Sequence, residues 1–116
     1  FINLQSTNFK EDLLEIKKKY SVHVHNFDDL DHYDDFADVA ALCAALDVCV
    51  SVSTAVSTVA GAVGTPTRML HWRRSSWNNV LFTPPGPNVK IYEKDTWESW
   101  DNSFNLIAKE LKNIKN

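Results

Sequence analysis

The stretch Asp47-Val-Cys-Val-Ser-Val-Ser-Thr-Ala-Val-Ser-Thr-Val-Ala-Gly-Ala-Val-Gly-Thr-Pro66 constrains the fold more than any other part of the chain. Val48 to Val52 is dense in β-branched residues and predicts a buried strand. Ser53-Thr54 is a hydroxyl-rich turn of the kind that opens helices. Ala55 to Val63 then predicts a short helix of small residues, able to lie close against a sheet. Gly64-Thr-Pro66 ends that helix, because Gly tolerates the left-handed conformation a helix stop requires and Pro cannot continue the hydrogen-bond ladder.

The rest of the chain alternates in the same way. Phe1 to Leu4 reads as a short strand, and Phe9, Leu13, Leu14 and Ile16 recur at helical spacing up to the cations Lys17-Lys-Lys19, which suit a helix C-terminus. Val22 and Val24 alternate with His23 and His25, a brief period-two pattern that predicts a second strand. An acidic loop from Asp28 to Asp35 leads into the Ala- and Leu-rich helix Phe36 to Leu46, with Asp34 or Asp35 as its N-cap. After the central strand and small-residue helix come a strand from Thr67 to Leu70 and a polar loop from His71 to about Asn88. A strand from Val89 to Tyr92 and an amphipathic helix from Trp97 to about Ile114 close the chain. Strands alternating with helices imply parallel pairing through crossovers. The expected fold is therefore α/β: a Rossmann-like, open, mainly parallel sheet with helices on both faces, in one domain covering residues 1–116.

Composition narrows the class. A chain of 116 residues with 44% hydrophobic content holds one modest core. The net charge is -3 and Lys and Arg are dispersed, so the basic face of a nucleic-acid binder is missing. No apolar run reaches the roughly 20 residues of a membrane span, and a cytoplasmic location is expected. Cys43 and Cys49 sit in apolar contexts and are expected as free, buried thiols. The chain opens on Phe1 within an apolar stretch, which suggests a piece of a longer protein.

In an open α/β sheet a ligand sits beyond the carboxyl ends of the strands. Gln5 to Asn8, Asn26 to Asp31, Ser53-Thr54 and His71 to Trp77 all follow predicted strands and would share that edge. The Ser53-Thr54 turn can hold a phosphate with helix amides and two hydroxyls, or Ser53 can serve simply as an N-cap. Arg73 and Arg74 leave from the same edge, either as bidentate phosphate ligands or as solvated loop charges, whereas Arg68, inside a strand, is expected to be a solvated charge. Trp72 and Trp77 lie where a base or sugar could stack, while Trp97 and Trp100 are expected to pack on the sheet. The acidic loop lacks calcium-loop spacing and reads as capping and solvation. His23 and His25 project to one side of a strand without the third ligand of a zinc centre. Glycine fingerprints of dinucleotide and P-loop sites, and the elbow of α/β-hydrolases, do not occur.

Several segments, taken in order, resemble the C-terminal, donor-binding half of a GT-B glycosyltransferase. The likeness is to the heptosyltransferase-like domains at the end of bacterial tetratricopeptide-repeat (TPR) glycosyltransferases. The segments are Phe1-Ile-Asn-Leu-Gln5, Phe36-Ala-Asp-Val-Ala-Ala-Leu-Cys-Ala-Ala-Leu-Asp47, Val50-Ser-Val-Ser-Thr-Ala-Val56, Ala60-Gly-Ala-Val-Gly-Thr-Pro66, His71-Trp-Arg73, Trp77 and Val89-Lys-Ile-Tyr92. The resemblance implies a metal-independent hexosyl or heptosyl transferase with no resident cofactor, its UDP-, GDP- or ADP-sugar donor held by Gln5, Ser53, Thr54, Ala55, Trp72, Arg73 and Arg74. The family usually carries Asp before the turn Thr and His four residues after it; here Ser53 and Thr58 stand at those places. It further implies that the acceptor and catalytic base belong to an N-terminal half or TPR region outside this sequence, so that the chain alone binds a donor without transferring it. A non-catalytic interaction module of the same fold is the alternative, and a flavodoxin-like receiver or flavin carrier shares the element order without the expected signatures.

Overall fold

A computed structural model describes residues 1–73 and 86–114. Arg74 and Trp77 lie outside the described residues. The elements are α1 (Lys10–Tyr20), α2 (Phe36–Ala44), β1 (Cys49–Val52), α3 (Ala55–Ala62), β2 (Thr67–Trp72), β3 (Val89–Lys94) and α4 (Asp101–Lys112). The chain forms two compact units, Phe1–Ala41 and Leu42–Asn116, and the division falls within α2.

The second unit is an open, three-stranded parallel sheet in the order β1-β2-β3, flanked by helices, as a Rossmann-like sheet is. Cys49 to Val52 pair with Thr67 to Leu70, and Thr67 to Trp72 pair with Val89 to Lys94. Alternate residues of a strand face opposite sides, so Arg68, Leu70 and Trp72 share one face with Lys90, Tyr92 and Lys94. Leu70, Tyr92 and Ile107 of α4 form the core on that face, with Trp100 and Leu111 packed around them. Thr67 and Met69, which face the other way, are buried as well, so the central strand is covered on both sides.

Helix α3 follows the pattern expected of its small residues: Ser57 and Ala60, three apart, are both fully buried on its inner side. Its stop is also as the sequence predicts. Gly64 takes φ +88, and Thr65 N–H reaches back to the Ala60 carbonyl at 3.0 Å. Asn88 Nδ2 then donates to the carbonyls of Gly61 at 3.1 Å and Thr65 at 2.9 Å, tying the start of β3 to the end of α3.

In the first unit the two predicted strands reduce to a single parallel bridge, Ile2 to His25, with Asn3 N–H on the His25 carbonyl at 2.8 Å and His25 N–H on the Phe1 carbonyl at 2.9 Å. A period-two pattern marks chain able to be a strand, but a ladder also needs a partner in register. Helix α1 buries none of its residues. Asp35 caps α2 as expected, its Oδ1 accepting the Asp38 N–H at 3.0 Å.

Boundaries moved at the C-terminal end. β2 runs on through His71 and Trp72, and β3 through Glu93 and Lys94. The last helix starts at Asp101 rather than at Trp97. A turn intervenes, in which Asp95 N–H donates to Glu98 Oε2 at 2.7 Å and Glu98 N–H to the Asp95 carbonyl at 3.1 Å. Trp97 therefore stands 71% exposed on the turn instead of packing on the sheet. Cys43 and Cys49 are buried free thiols. Burial pushes both thiols up, Cys49 to about 11 with a further contribution from Cys43, so neither is a ready nucleophile.

Candidate functional site

The strand-turn-helix forms as its sequence predicts, but its cap shifts by one residue. Ser53 N–H continues the sheet ladder, donating to the Leu70 carbonyl at 3.1 Å, so Ser53 ends the strand rather than capping the helix. Thr54, in extended conformation at φ -138 and ψ 178, is the N-cap of α3. Its N–H donates to Ser57 Oγ at 3.0 Å and its carbonyl accepts from the same hydroxyl at 2.7 Å, the Ser57 half of a capping box. Thr58 donates its hydroxyl to the Thr54 carbonyl at 3.3 Å. The Thr54 side chain and Ala55 are exposed. The amides of the first helical turn have no carbonyl partner within the helix, and the helix dipole adds positive potential there.

Parallel pairing sets what lies beside this turn. Val52 pairs with Leu70, so Ser53 and Thr54 leave the same edge of the sheet as Trp72 and Arg73. Trp72 is 54% exposed; its ring centroid lies 6.0 Å from that of Trp100, the planes tilted by 50°. Lys94, the register partner of Trp72, is buried. Its ammonium stands 5.8 Å from the Trp72 ring and 4.9 Å from the Trp100 ring, and it donates to the carbonyls of Glu98 at 2.6 Å and Asp95 at 3.2 Å. Arg73 is tied to the same turn. Its N–H donates to the Lys94 carbonyl at 2.9 Å, while its guanidinium meets Asp95 Oδ2 at 3.2 Å and Glu93 Oε2 at 3.6 Å.

No local pattern near Arg73 marks these two carboxylates. Arg68, expected as a solvated charge, is instead paired with Glu110. Arg68 Nε donates to Glu110 Oε2 at 2.5 Å, Lys90 Nζ to Glu110 Oε1 at 2.5 Å, and the Tyr92 hydroxyl to Oε1 as well. Hydrogen bonds from Lys90, Tyr92 and Arg68 hold the Glu110 carboxyl down at about 2. This cluster fastens α4 over the amino-terminal end of β2 and β3.

Gln5 belongs to the first unit. Its N–H donates to Asn3 Oδ1 at 3.1 Å, and its side chain turns onto the Thr7 carbonyl at 2.7 Å. The buried residue there is Asn3, whose Nδ2 donates to the Gln5 carbonyl at 3.1 Å and to Asn26 Oδ1 at 2.9 Å; Asn26 Nδ2 reaches Asp28 Oδ1 at 2.7 Å. The network thus joins the two segments that follow the Ile2 to His25 bridge. In the acidic loop Asp31 Oδ1 accepts the amides of Tyr33 at 2.9 Å and Asp34 at 3.0 Å, and these bonds hold its carboxyl below the usual range. The loop therefore caps its own turns, as expected. Among the described residues, no group of three or more His, Cys, Asp or Glu is placed to hold a metal ion, and no helix is long and apolar enough to cross a membrane.

No protein-family model matches the chain, and no solved structure does. Protein FlbA of Caulobacter vibrioides is 33% identical to it over 116 residues, which cover 98% of this chain and 19% of that protein. The chain thus spans less than a fifth of the length of this relative.

Proposed function

We propose that this chain is the donor-binding domain of a metal-independent GT-B glycosyltransferase, with a nucleotide-sugar diphosphate held at the N-terminus of α3. The observation that carries the reading is the shared edge. An exposed Thr54 side chain and the first helical turn lie at the end of β1, and a half-exposed indole and a guanidinium leave the end of the paired strand β2. Helix amides suit phosphate oxygens, an arginine suits either phosphate, and an indole face suits a base or sugar. No ion is needed, because dipoles and cations can stabilise the charge that develops on a departing nucleoside diphosphate. Acceptor and base come from outside the chain in this reading, as do any TPR-type partner segments.

Nucleoside diphosphates or their sugars, offered as UDP, GDP and ADP forms, should raise the melting temperature. Thr54→Val should abolish the rise and Thr54→Ser should keep most of it, whatever either does to the unliganded baseline. No rise with any of the three nucleotides would overturn the proposal. One observation favours a second reading, a non-catalytic interaction module of the same fold: Arg73 already meets Glu93 and Asp95, so part of the positive charge at this edge is neutralised within the sheet.

A further inference from the structure

We propose that His71 is a phosphate ligand at the α3 edge, where its imidazole and the Ser53 hydroxyl meet one phosphate of a nucleoside diphosphate alongside the first turn of the helix. The inference rests on the donor-binding reading for the nature of that ligand. Alternation along β2 turns His71 to the side of Thr67 and Met69, away from Leu70 and Trp72. Helix α3 covers that same side. It lies against β1 and β2, and Cys49 of β1 is buried, whereas Val50 and Val52, which turn the other way, are exposed. The first turn of α3 stands at the carboxyl edge of this face, since Ser51 Oγ lies 3.4 Å from the Oγ1 of its N-cap Thr54.

Register brings the imidazole beside the turn. Cys49 N–H donates to the carbonyl of Pro66, the residue before its partner Thr67. Ser53 N–H donates in the same way to the Leu70 carbonyl at 3.1 Å, which sets Ser53 opposite His71. Residues paired across neighbouring strands, about 4.8 Å apart, turn their side chains the same way. His71 is 9% exposed, and among the described residues no hydrogen bond or ion pair engages its ring or the Ser53 hydroxyl. Its nitrogens still reach solvent, unlike those of His32, which are enclosed without partners. A ring so placed has lost most of its hydration, and a phosphate oxygen supplies the missing hydrogen bond. The local charges permit an anion there. Helix α3 carries no charged residue, and Glu93, the register partner of His71 on β3, is met by Arg73 at 3.6 Å.

Calorimetric titration of the whole chain with inorganic pyrophosphate, UDP, GDP and ADP, set beside ring-nitrogen NMR of its four histidines, tests the assignment. In the wild type, pyrophosphate and the nucleotide that binds should shift the ring resonances of His71 and leave those of His23, His25 and His32 in place. His71→Phe keeps a buried ring and removes both nitrogens, so it should weaken pyrophosphate and nucleotide alike by about tenfold or more. Should that variant fail to fold, the wild-type spectra decide alone. A ligand that binds without moving the His71 resonances, or that binds His71→Phe equally well, would refute the assignment and leave the donor-binding reading standing. Pyrophosphate bound without any nucleotide would remove the donor-binding reading and keep His71 as an anion ligand; binding of neither would remove both.

Discussion

The two ends of the β2–β3 pair present the same ingredients on the same face and use them differently. At the amino-terminal end the register partners Arg68 and Lys90 both converge on one carboxylate, Glu110 of α4, which Tyr92 also engages. At the carboxyl-terminal end the register partners Trp72 and Lys94 meet Trp100, the residue before α4. The Lys94 charge there is met by indole faces and backbone carbonyls, and that of Arg73 by Glu93 and Asp95. One end is a closed clamp whose charges are spent on holding a helix. The other leaves Trp72 and the Arg73 side chain each 54% exposed beside the first turn of α3. Both ends share the Leu70, Tyr92 and Ile107 core between them, so the difference lies in the polar chemistry laid on a common apolar base.

Removing the shared base should have the largest effect. Ile107→Ala should cost about 2–5 kcal/mol, the range for truncating a buried aliphatic side chain, and should loosen both ends together in urea denaturation followed by tryptophan fluorescence. If only one end responded, the two would not rest on a common core. An intermediate effect is expected at the clamp, and it depends on pH. Glu110 is held at about 2 against an ordinary carboxyl value of 4.5, so its contribution is fully present above the ordinary value and fades as pH falls from there toward 2. Wild type should lose stability across that window more steeply than Glu110→Gln, while the variant should be the less stable of the two at neutral pH. The smallest change in stability is expected at the open end. Glu93→Gln removes one side of an exposed ion pair and should shift stability by less than about 1 kcal/mol. Under the donor-binding reading it should also enlarge the thermal shift given by ADP, because one carboxylate no longer competes for Arg73. An unchanged shift would favour the non-catalytic module.

How much of this was legible in the sequence depends on how local the cause is. β1, α3 and the stop at Gly64 follow from neighbouring residues, as does the Asp35 cap, and the structure keeps them. The cap at α3 was misplaced by one residue because the partner of the Ser53 amide is the Leu70 carbonyl, supplied by another strand. The same distinction separates two predicted strands. Thr67 to Trp72 became a central strand because neighbours flank it on both sides, whereas Val22 to His25 made one bridge. The candidate site was half legible. Thr54, Ala55 and Trp72 lie where their spacing put them, but the carboxylates that restrain Arg73 lie on and just after β3 and left no mark near it in sequence.

By itself the sequence determined the α/β alternation, the strand-turn-helix and the helix ends, because these depend on side-chain propensity, period and capping within a few residues. The tertiary structure decided the register that puts Arg68 beside Lys90 and Trp72 beside Lys94. It also decided that Glu110 would take three donors from two strands, and that Trp100 rather than Trp97 would face the sheet. Those pairings join residues tens of positions apart, and their free energy exists only once strands and helix have docked. No local pattern along the chain could have carried them.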